Sequence, residues 1–356
     1  DPCAGDPQPE ARLMRFGSVP LSEAEGAILA HSVQLASGRL RKGLNLTADH
    51  LRQLADEGHA EITVARLDDT DLHEDAAAAE LAQAVAAQGV LLTDPFTGRV
   101  NLLAPEPGVA LIDSDKINAL NSIDPMITCA SVPPYQQMGQ GGMIATVKII
   151  AYGVPATDLR RAAAVAQDAI SFAPSLLRSA TLIVTEVPGG PGLTGQDAIE
   201  SRLNALGITL EATLTCAHTE DALSKRLSTC TSDLILILTD SATSDPHDVA
   251  PEGLRQAGGT VTRFGMPVDP GNLLFLGKLG QAPVIGLPGC ARAPALNGAD
   301  WVLARVACGL EVTHQDIASM GVGGLLKEIP TRPQPRARRL PASAQPAAAK
   351  PARASS

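Results

Sequence analysis

After Arg178 the chain changes period, and that change limits the folds open to it more than any other feature. Short apolar runs at Ala180 to Val187, Thr209 to Thr215, Leu234 to Thr239 (within DLILILTD, Asp233 to Asp240), Thr260 to Phe264 and Val284 to Leu287 read as strands. Between and after them, helical spacing covers Gln196 to Leu206, Asp221 to Ser228, Val249 to Gln256 and Ala295 to Ala307. Strands alternating with helices in this way predict an α/β fold, a doubly wound and mainly parallel sheet covered on both faces. Loops at the carboxyl ends of such strands meet at a crevice, where backbone N–H groups can face an anionic ligand. Three turns are candidates for one pocket there: Ser241 to Asp248 (SATSDPHD), Met266 to Asn272, and Leu287-Pro288-Gly289-Cys290.

Upstream the texture differs. Residues 1–13 are rich in Pro, Asp and Ala and read as a disordered leader, with ordered chain expected from Met14. Residues 20–35 read as a short helix, a break at Gly26 and a strand. Thr47 then caps an amphipathic helix with Leu51 and Leu54 inward, Gly58 ends it, and a strand runs Glu61 to Leu67. A second helix spans Glu74 to Ala87, with its acids in the first turn as the helix dipole prefers. Residues 97–154 are strand and turn, and 157–172 form a bridging helix. The expected division is thus a mixed α+β, β-rich N-terminal region over 14–177, an α/β domain over 178–329 ending in a helix from His314 to Ile329, and a disordered Pro/Arg/Ala tail over 330–356.

Charge and aromatic content exclude some functions. A net charge of −10, with one Trp, two Tyr and five Phe, argues against a nucleic-acid partner, which calls for basic surface and stacking rings. Six scattered cysteines show no CxxC pair, which fits reduced, mostly buried thiols. No run of about 18 apolar residues reads as a membrane span, and the first dozen residues lack a signal-peptide core. A cytoplasmic location is the expectation.

Several side chains could carry chemistry. Asp240, Asp245 and Asp248 crowd one strand-end turn, and Asp269 lies in a second; clustered carboxylates can hold Mg²⁺ beside a phosphate, although Asp248 is equally explained as a helix cap. Gly189, Gly190, Gly192 and Gly195 sit in the first strand-to-helix loop, either as a phosphate cradle or as a plain connection; the spacing matches neither dinucleotide nor P-loop signatures. Ser241, Thr243 and Ser244 offer hydroxyls in the second loop. Pro270, Gly271 and Asn272, and likewise Leu287, Pro288 and Gly289, shape the other two turns. No GxSxG elbow or Ser/His/Asp order is present. Lys278 could neutralise a phosphate or lie in solvent, and His247 is the histidine nearest the candidate pocket. Arg99 and Lys148 are charges embedded in strand-like stretches, whereas Arg41 and Lys42 read as a surface turn.

The order of apolar strand, acid-bearing turn, helix, Pro-Gly turn and closing Leu287-Pro288-Gly289 resembles the molybdopterin-binding domain of the MoeA and gephyrin E-domain family. The segments EAEGAILAHSV and LRKGLNLTADHLRQLADEGHAEITV are similar to MoeA-type pieces, so the likeness spans most of residues 18–329. It is nearest to a subgroup often fused to a MobA-type nucleotidyltransferase, and the tail begins where such a domain would. The resemblance implies binding of molybdopterin or its adenylylated form through Gly189, Gly190, Ser241, Thr243, Ser244, Pro270, Gly271, Asn272, Leu287, Pro288 and Gly289. It further implies Mg²⁺ at Asp240, Asp245 and Asp248, with Asp245 and Asp248 as catalytic acids. The family's GGxSxGxxD run is here Thr239-Asp240-Ser241-Ala242-Thr243-Ser244-Asp245-Pro246-His247-Asp248: its glycines are gone, and His247 stands where an acid is expected. Its TGDEL run is replaced by Thr185-Glu186-Val187-Pro188-Gly189, and its LPGNP by Leu287-Pro288-Gly289-Cys290-Ala291. Two readings stay open: a molybdenumtransferase, or a non-catalytic molybdopterin carrier working with a nucleotidyltransferase or molybdoenzyme. A nucleotide-dependent α/β enzyme unrelated to molybdenum is the third. A homodimer is the assembly the resemblance suggests.

Overall fold

A computed structural model of the chain describes residues 14–326. The expected leader over 1–13 and the tail from 330 lie outside the described residues. The fold is mixed α/β, and its C-terminal half is built on one six-stranded sheet. We label those strands β1 (Ser179–Glu186), β2 (Thr209–Ala217), β3 (Leu234–Thr239), β4 (Thr260–Phe264), β5 (Phe275–Leu279) and β6 (Ala282–Leu287). The helices are α1 (Gln196–Asn204), α2 (Glu220–Leu227), α3 (Val249–Gln256), α4 (Gly298–Ala307) and α5 (His314–Ser319).

The strand order is β2-β1-β3-β6-β5-β4. β2, β1, β3 and β6 run parallel, whereas β5 is antiparallel to both of its neighbours. The expectation of a mainly parallel sheet therefore meets an antiparallel strand it did not contain. β5 reads FLGKL, too short and too interrupted by Gly277 and Lys278 to stand out, and it forms because a tight turn at Gly280 folds β6 back beside it. Helices cover both faces. Leu182 and Val184 of β1, Leu236 and Leu238 of β3, and Ile285 and Leu287 of β6 pack with Ile199 and Leu203 of α1 and Val302 and Leu303 of α4. Ile183, Ile235, Ile237 and Val284 point the other way, against Leu223 and Leu227 of α2 and Ala250 and Leu254 of α3. The apolar run of β3 follows from this sandwiching, since a strand buried on two sides cannot alternate polar and apolar residues. Each such aliphatic side chain, fully buried, stabilises the fold by about 1.5–3 kcal/mol. Across the β5–β6 seam the fully buried Phe275 stands opposite Gly286, and a Cβ on Gly286 would fall 1.9 Å from the phenyl ring.

The N-terminal region forms two smaller units. In the first, Arg15–Pro20, Glu61–Arg66 and Ile28–Leu29 make a three-stranded sheet beside a helix over Ala48–Asp56. Thr47 caps that helix in a capping box with His50, and Leu54 is its fully buried side chain, with Leu51 half-buried. The helix expected near residue 20 shrinks to a single turn, Leu21–Glu23, followed by short strands. In the second unit, helices Glu74–Val85 and Ala156–Val165 cover a four-stranded sheet in the order Ile127–Ser131, Met143–Ile149, Arg99–Leu103, Leu91–Leu92. A helix over Ser114–Asn121, capped by Asp113, interrupts what the sequence presents as strand and turn. The bridging helix expected over 157–172 stops at Val165, and Ile170–Pro174 is instead a strand beside Gly108–Ile112. Val109 from that pair sits in the core under α4.

Candidate functional site

Because β1, β3 and β6 run parallel, the loops after Glu186, Thr239 and Leu287 leave from one edge of the sheet. β5 is antiparallel, so the segment leading into it, Gly265 to Leu274, lies at the same edge. Ser241, Gly271 and Gly289 thus share an edge, as the topology of the expected pocket requires.

Arg292 ties these loops together. It lies in a short 3-10 turn, Gly289–Arg292, directly after β6. Its Nη1 donates to the carbonyls of Gly192 at 2.6 Å and Thr194 at 2.7 Å, and its Nη2 donates to the Thr239 carbonyl at 3.3 Å and to Asp240 Oδ1 at 2.9 Å. Asp240, whose side chain is 1% exposed, also accepts from the N–H groups of Gly192 and Val187. The backbone at Gly190 comes so near that a Cβ there would fall 2.4 Å from Asp240 Oδ2, which is why this loop carries glycine. A planar guanidinium with several fixed donors suits a junction of carbonyls and one carboxylate.

The rest of the 288–298 loop is held by Arg202 of α1. Its Nε donates to Asp300 Oδ1 at 2.6 Å, while Nη1 and Nη2 reach the carbonyls of Ala291, Ala293 and Ala295. Asn297 and Asp300 then close a capping box on α4. Toward β5, the Gly298 N–H donates to the Pro270 carbonyl at 2.9 Å, joining the Pro270-Gly271-Asn272 turn to the same loop. Asn272 is exposed, and its side-chain amide donates to the Met266 carbonyl.

The other candidate residues divide by exposure. Gly189, Gly190, Ser241, Ser244 and Gly289 are exposed along the rim, and a side chain on Gly289 would meet only open space. Thr243 is buried, its hydroxyl 3.3 Å from that of Thr239; Leu287 and Pro288 are buried beneath the rim. Asp248 caps α3, accepting from the N–H groups of Val249 and Ser244. Asp245 turns back onto the N–H of His247. Asp240, Asp245 and Asp248 are therefore not assembled as a ligand set for Mg²⁺: one is locked to Arg292 and two serve local backbone. Among the described residues no group of three or more His, Cys, Asp or Glu side chains stands where it could hold a metal ion.

Sequence reasoning passed over Arg292, Arg202 and the pair Thr185–His218, whose hydroxyl and Nδ1 lie 2.7 Å apart at the same edge. A signal for the first was available: Asp240 closes the apolar strand LILILT and needs a counter-charge once buried. A cavity of about 700 Å³ lies elsewhere, toward the opposite end of β6, lined by Leu177, Leu276, Pro283, Val306, Leu310 and His314. Volume alone would point to that cavity; the converging loops and the shared guanidinium single out the carboxyl edge.

A family described as "Domain of unknown function (DUF8806)" matches residues 18–66. No curated protein matches the chain. Among solved structures, the chain is similar to a molybdopterin biosynthesis MoeA protein from Pyrococcus horikosii, at 13% identity and a TM-score of 0.30, covering 84% of this chain and 76% of that one. It is also similar to a molybdopterin biosynthesis protein from Mycobacterium abscessus (14% identity, TM-score 0.25, 37% of this chain and 92% of that one). A molybdenum cofactor biosynthesis protein B compares at 11% identity and a TM-score of 0.25, over 37% of this chain and 88% of that one. Superpositions this distant transfer neither fold nor function.

In the described residues no helix is long and apolar enough to cross a membrane.

Proposed function

We propose that the carboxyl edge of the C-terminal sheet binds a phosphorylated pterin of the molybdopterin type, and that the protein serves molybdenum-cofactor biosynthesis as a binding and carrier module. The observation that carries the reading is the position of Arg292, which draws the loops after β1, β3 and β6 into one rigid rim in the order the molybdopterin-binding resemblance calls for. Exposed Gly189, Ser241 and Gly289 then offer main-chain and hydroxyl contacts to a phosphate, whereas the Gly190 N–H is engaged by the Val187 carbonyl and the Ser244 N–H and hydroxyl by Asp248 and the Ala242 carbonyl. Carriage is favoured over molybdenum insertion because Asp240 is neutralised by Arg292 and Asp248 is engaged as a helix cap, which leaves no assembled acid set to direct a metal-assisted step.

The test is mass spectrometry of the small molecule that accompanies the purified full chain, followed by titration with molybdopterin. Wild type is expected to carry or bind the pterin. Gly289→Trp, which fills open space at the rim without touching the core, is expected to lose binding with an unchanged unfolding midpoint. Absence of any pterin together with no binding on titration refutes the reading. Turnover of adenylylated molybdopterin with Mg²⁺ and molybdate would overturn the carrier form and restore the transferase one.

A further inference from the structure

The cavity at the amino end of the large sheet follows from two local facts. On β5, Leu276 and Lys278 are two residues apart and so share a face, the one that packs under α4, and the register sets Lys278 beside Pro283 of β6. Opposite them α4 ends in a Schellman turn: the Gly309 N–H donates to the Val306 carbonyl at 3.0 Å and the Leu310 N–H to the Arg305 carbonyl at 3.1 Å, with Gly309 left-handed at a φ of 68°. This turn carries the chain back beside β4, where Arg263 Nη1 donates to the His314 carbonyl at 3.2 Å. Along the returning segment Leu310 and Val312 turn to the core, while Glu311 and Thr313 are exposed. The two walls stay apart. The space of about 700 Å³ between them is the size of a small-molecule site. Leu276, Pro283, Val306 and Leu310 give it an apolar floor, and Lys278 and Glu311 line it from opposite walls.

Two charges of opposite sign thus face one apolar space. Among the described residues neither the Lys278 nor the Glu311 side chain has an ion pair, with each other or with anything else. The other cation at this end is committed: Arg263 Nε donates to the Gly265 carbonyl at 2.9 Å, and its Nη1 also lies 2.9 Å from His314 Nε2. A lone anion in the cavity would be drawn to Lys278 and repelled by Glu311, and a lone cation would meet the reverse. A molecule with a carboxylate, an ammonium and an apolar body satisfies both walls and the floor. We propose that this cavity binds a small apolar zwitterion of the class of the free aliphatic amino acids, its carboxylate toward Lys278, its ammonium toward Glu311 and its side chain on Leu276, Val306 and Leu310. Burial on the floor supplies most of the affinity, since ion pairs open to water contribute little and serve to select the ligand. The cavity lies at the opposite end of the sheet from Arg292 and does not rest on the pterin reading.

The experiment is calorimetric titration of the full chain with leucine, glycine, N-acetylleucine and leucinamide. Leucine should bind with a Kd near or below about 1 mM, and about tenfold or more tighter than glycine, which has no side chain to bury. N-acetylleucine, which lacks the ammonium, and leucinamide, which lacks the carboxylate, should each bind about two- to fivefold more weakly than leucine. Lys278→Met should weaken leucine and N-acetylleucine by about the same factor and leave leucinamide unchanged. Glu311→Gln should weaken leucine and leucinamide and leave N-acetylleucine unchanged. Both residues are exposed, so the unfolding midpoint should hold in each variant. No binding of leucine at 10 mM, on the order of ten times the Kd expected above, overturns the proposal. So does N-acetylleucine or leucinamide binding as tightly as leucine, because a single charge would then suffice. A change in the sedimentation mass of the ligand-free chain in either variant would also overturn it, by making the cavity an interface between copies.

Discussion

Replacing Arg292 by alanine removes one member of an ion pair whose side chains are 13% and 1% exposed, leaving the Asp240 carboxylate buried without its counter-charge. Breaking such a pair from one side costs about 3–5 kcal/mol, because the remaining ion keeps its desolvation penalty. The Gly192, Thr194 and Thr239 carbonyls lose a donor as well, which places the expected cost toward the upper end. For a domain of roughly 150–250 residues each kcal/mol moves the midpoint by about 2–4 °C, so a drop of about 10 °C or more is expected. Urea unfolding followed by the fluorescence of Trp301 reads the correct half of the molecule, since this sole tryptophan of the sequence lies on α4 and packs against the core beneath the carboxyl edge. Arg292→Lys should recover little, because an ammonium cannot reach four acceptors in a fixed fork. The double variant Asp240→Ala, Arg292→Ala should be less destabilised than the sum of the singles, since removing both charges removes the stranded ion. A cost below about 1 kcal/mol for Arg292→Ala, or simple additivity in the cycle, would refute the claim that a buried guanidinium organises the rim.

Two further outcomes follow. Asp233 accepts from the N–H groups of Arg178 and Ser179, and these backbone bonds, Arg178 first, hold its carboxyl below the ordinary carboxylate range. A depressed folded-state pKa contributes stability that is present above the unfolded value and lost as pH falls through the folded one, so wild type should weaken below about pH 4. Asp233→Asn should narrow the gap between urea midpoints at pH 7 and pH 3, and an unchanged gap would sink the assignment. Burial pushes the Cys129 and Cys308 thiols up to about 11, so iodoacetamide at pH 8 should label neither until the chain unfolds. Peptide mapping that finds either one alkylated in the native protein would contradict their placement.

What the sequence disclosed, and what it withheld, follows physical lines. β3 and α3 are read at their observed ends because a six-residue apolar run and an Asp-capped amphipathic segment leave little choice. β5 escaped because its pairing comes from a turn at Gly280 and from the neighbour across it, not from its own composition. The helix over Ser114–Asn121 escaped because it has only Ile117 and Leu120 buried and lies among strands. Turns that frame the carboxyl edge were visible as Gly, Pro and Asp clusters, which report local backbone demands. Arg292 was not, since a lone arginine in CARAPALNG gains its meaning only when two other loops arrive beside it. Thiol burial was foreseen in part: Cys129 and Cys308 are buried, whereas Cys216, Cys230 and Cys290 are half-exposed. Arg99 and Lys148 read from the sequence as charges embedded in strand-like stretches, but their facing register is a property of the pairing.

Phe275 and Gly286 act together as a key for the seam between the antiparallel and parallel parts of the large sheet. The ring occupies the volume a side chain would need, so only an absent side chain can sit across from it. Sliding β6 by one residue would bring Ile285 or Leu287 against the phenyl group, and the strand cannot lock in either position. The start of the loop carrying Arg292 is thereby fixed to the residue, which means a guanidinium near the rim inherits its aim from an aromatic ring in the neighbouring strand.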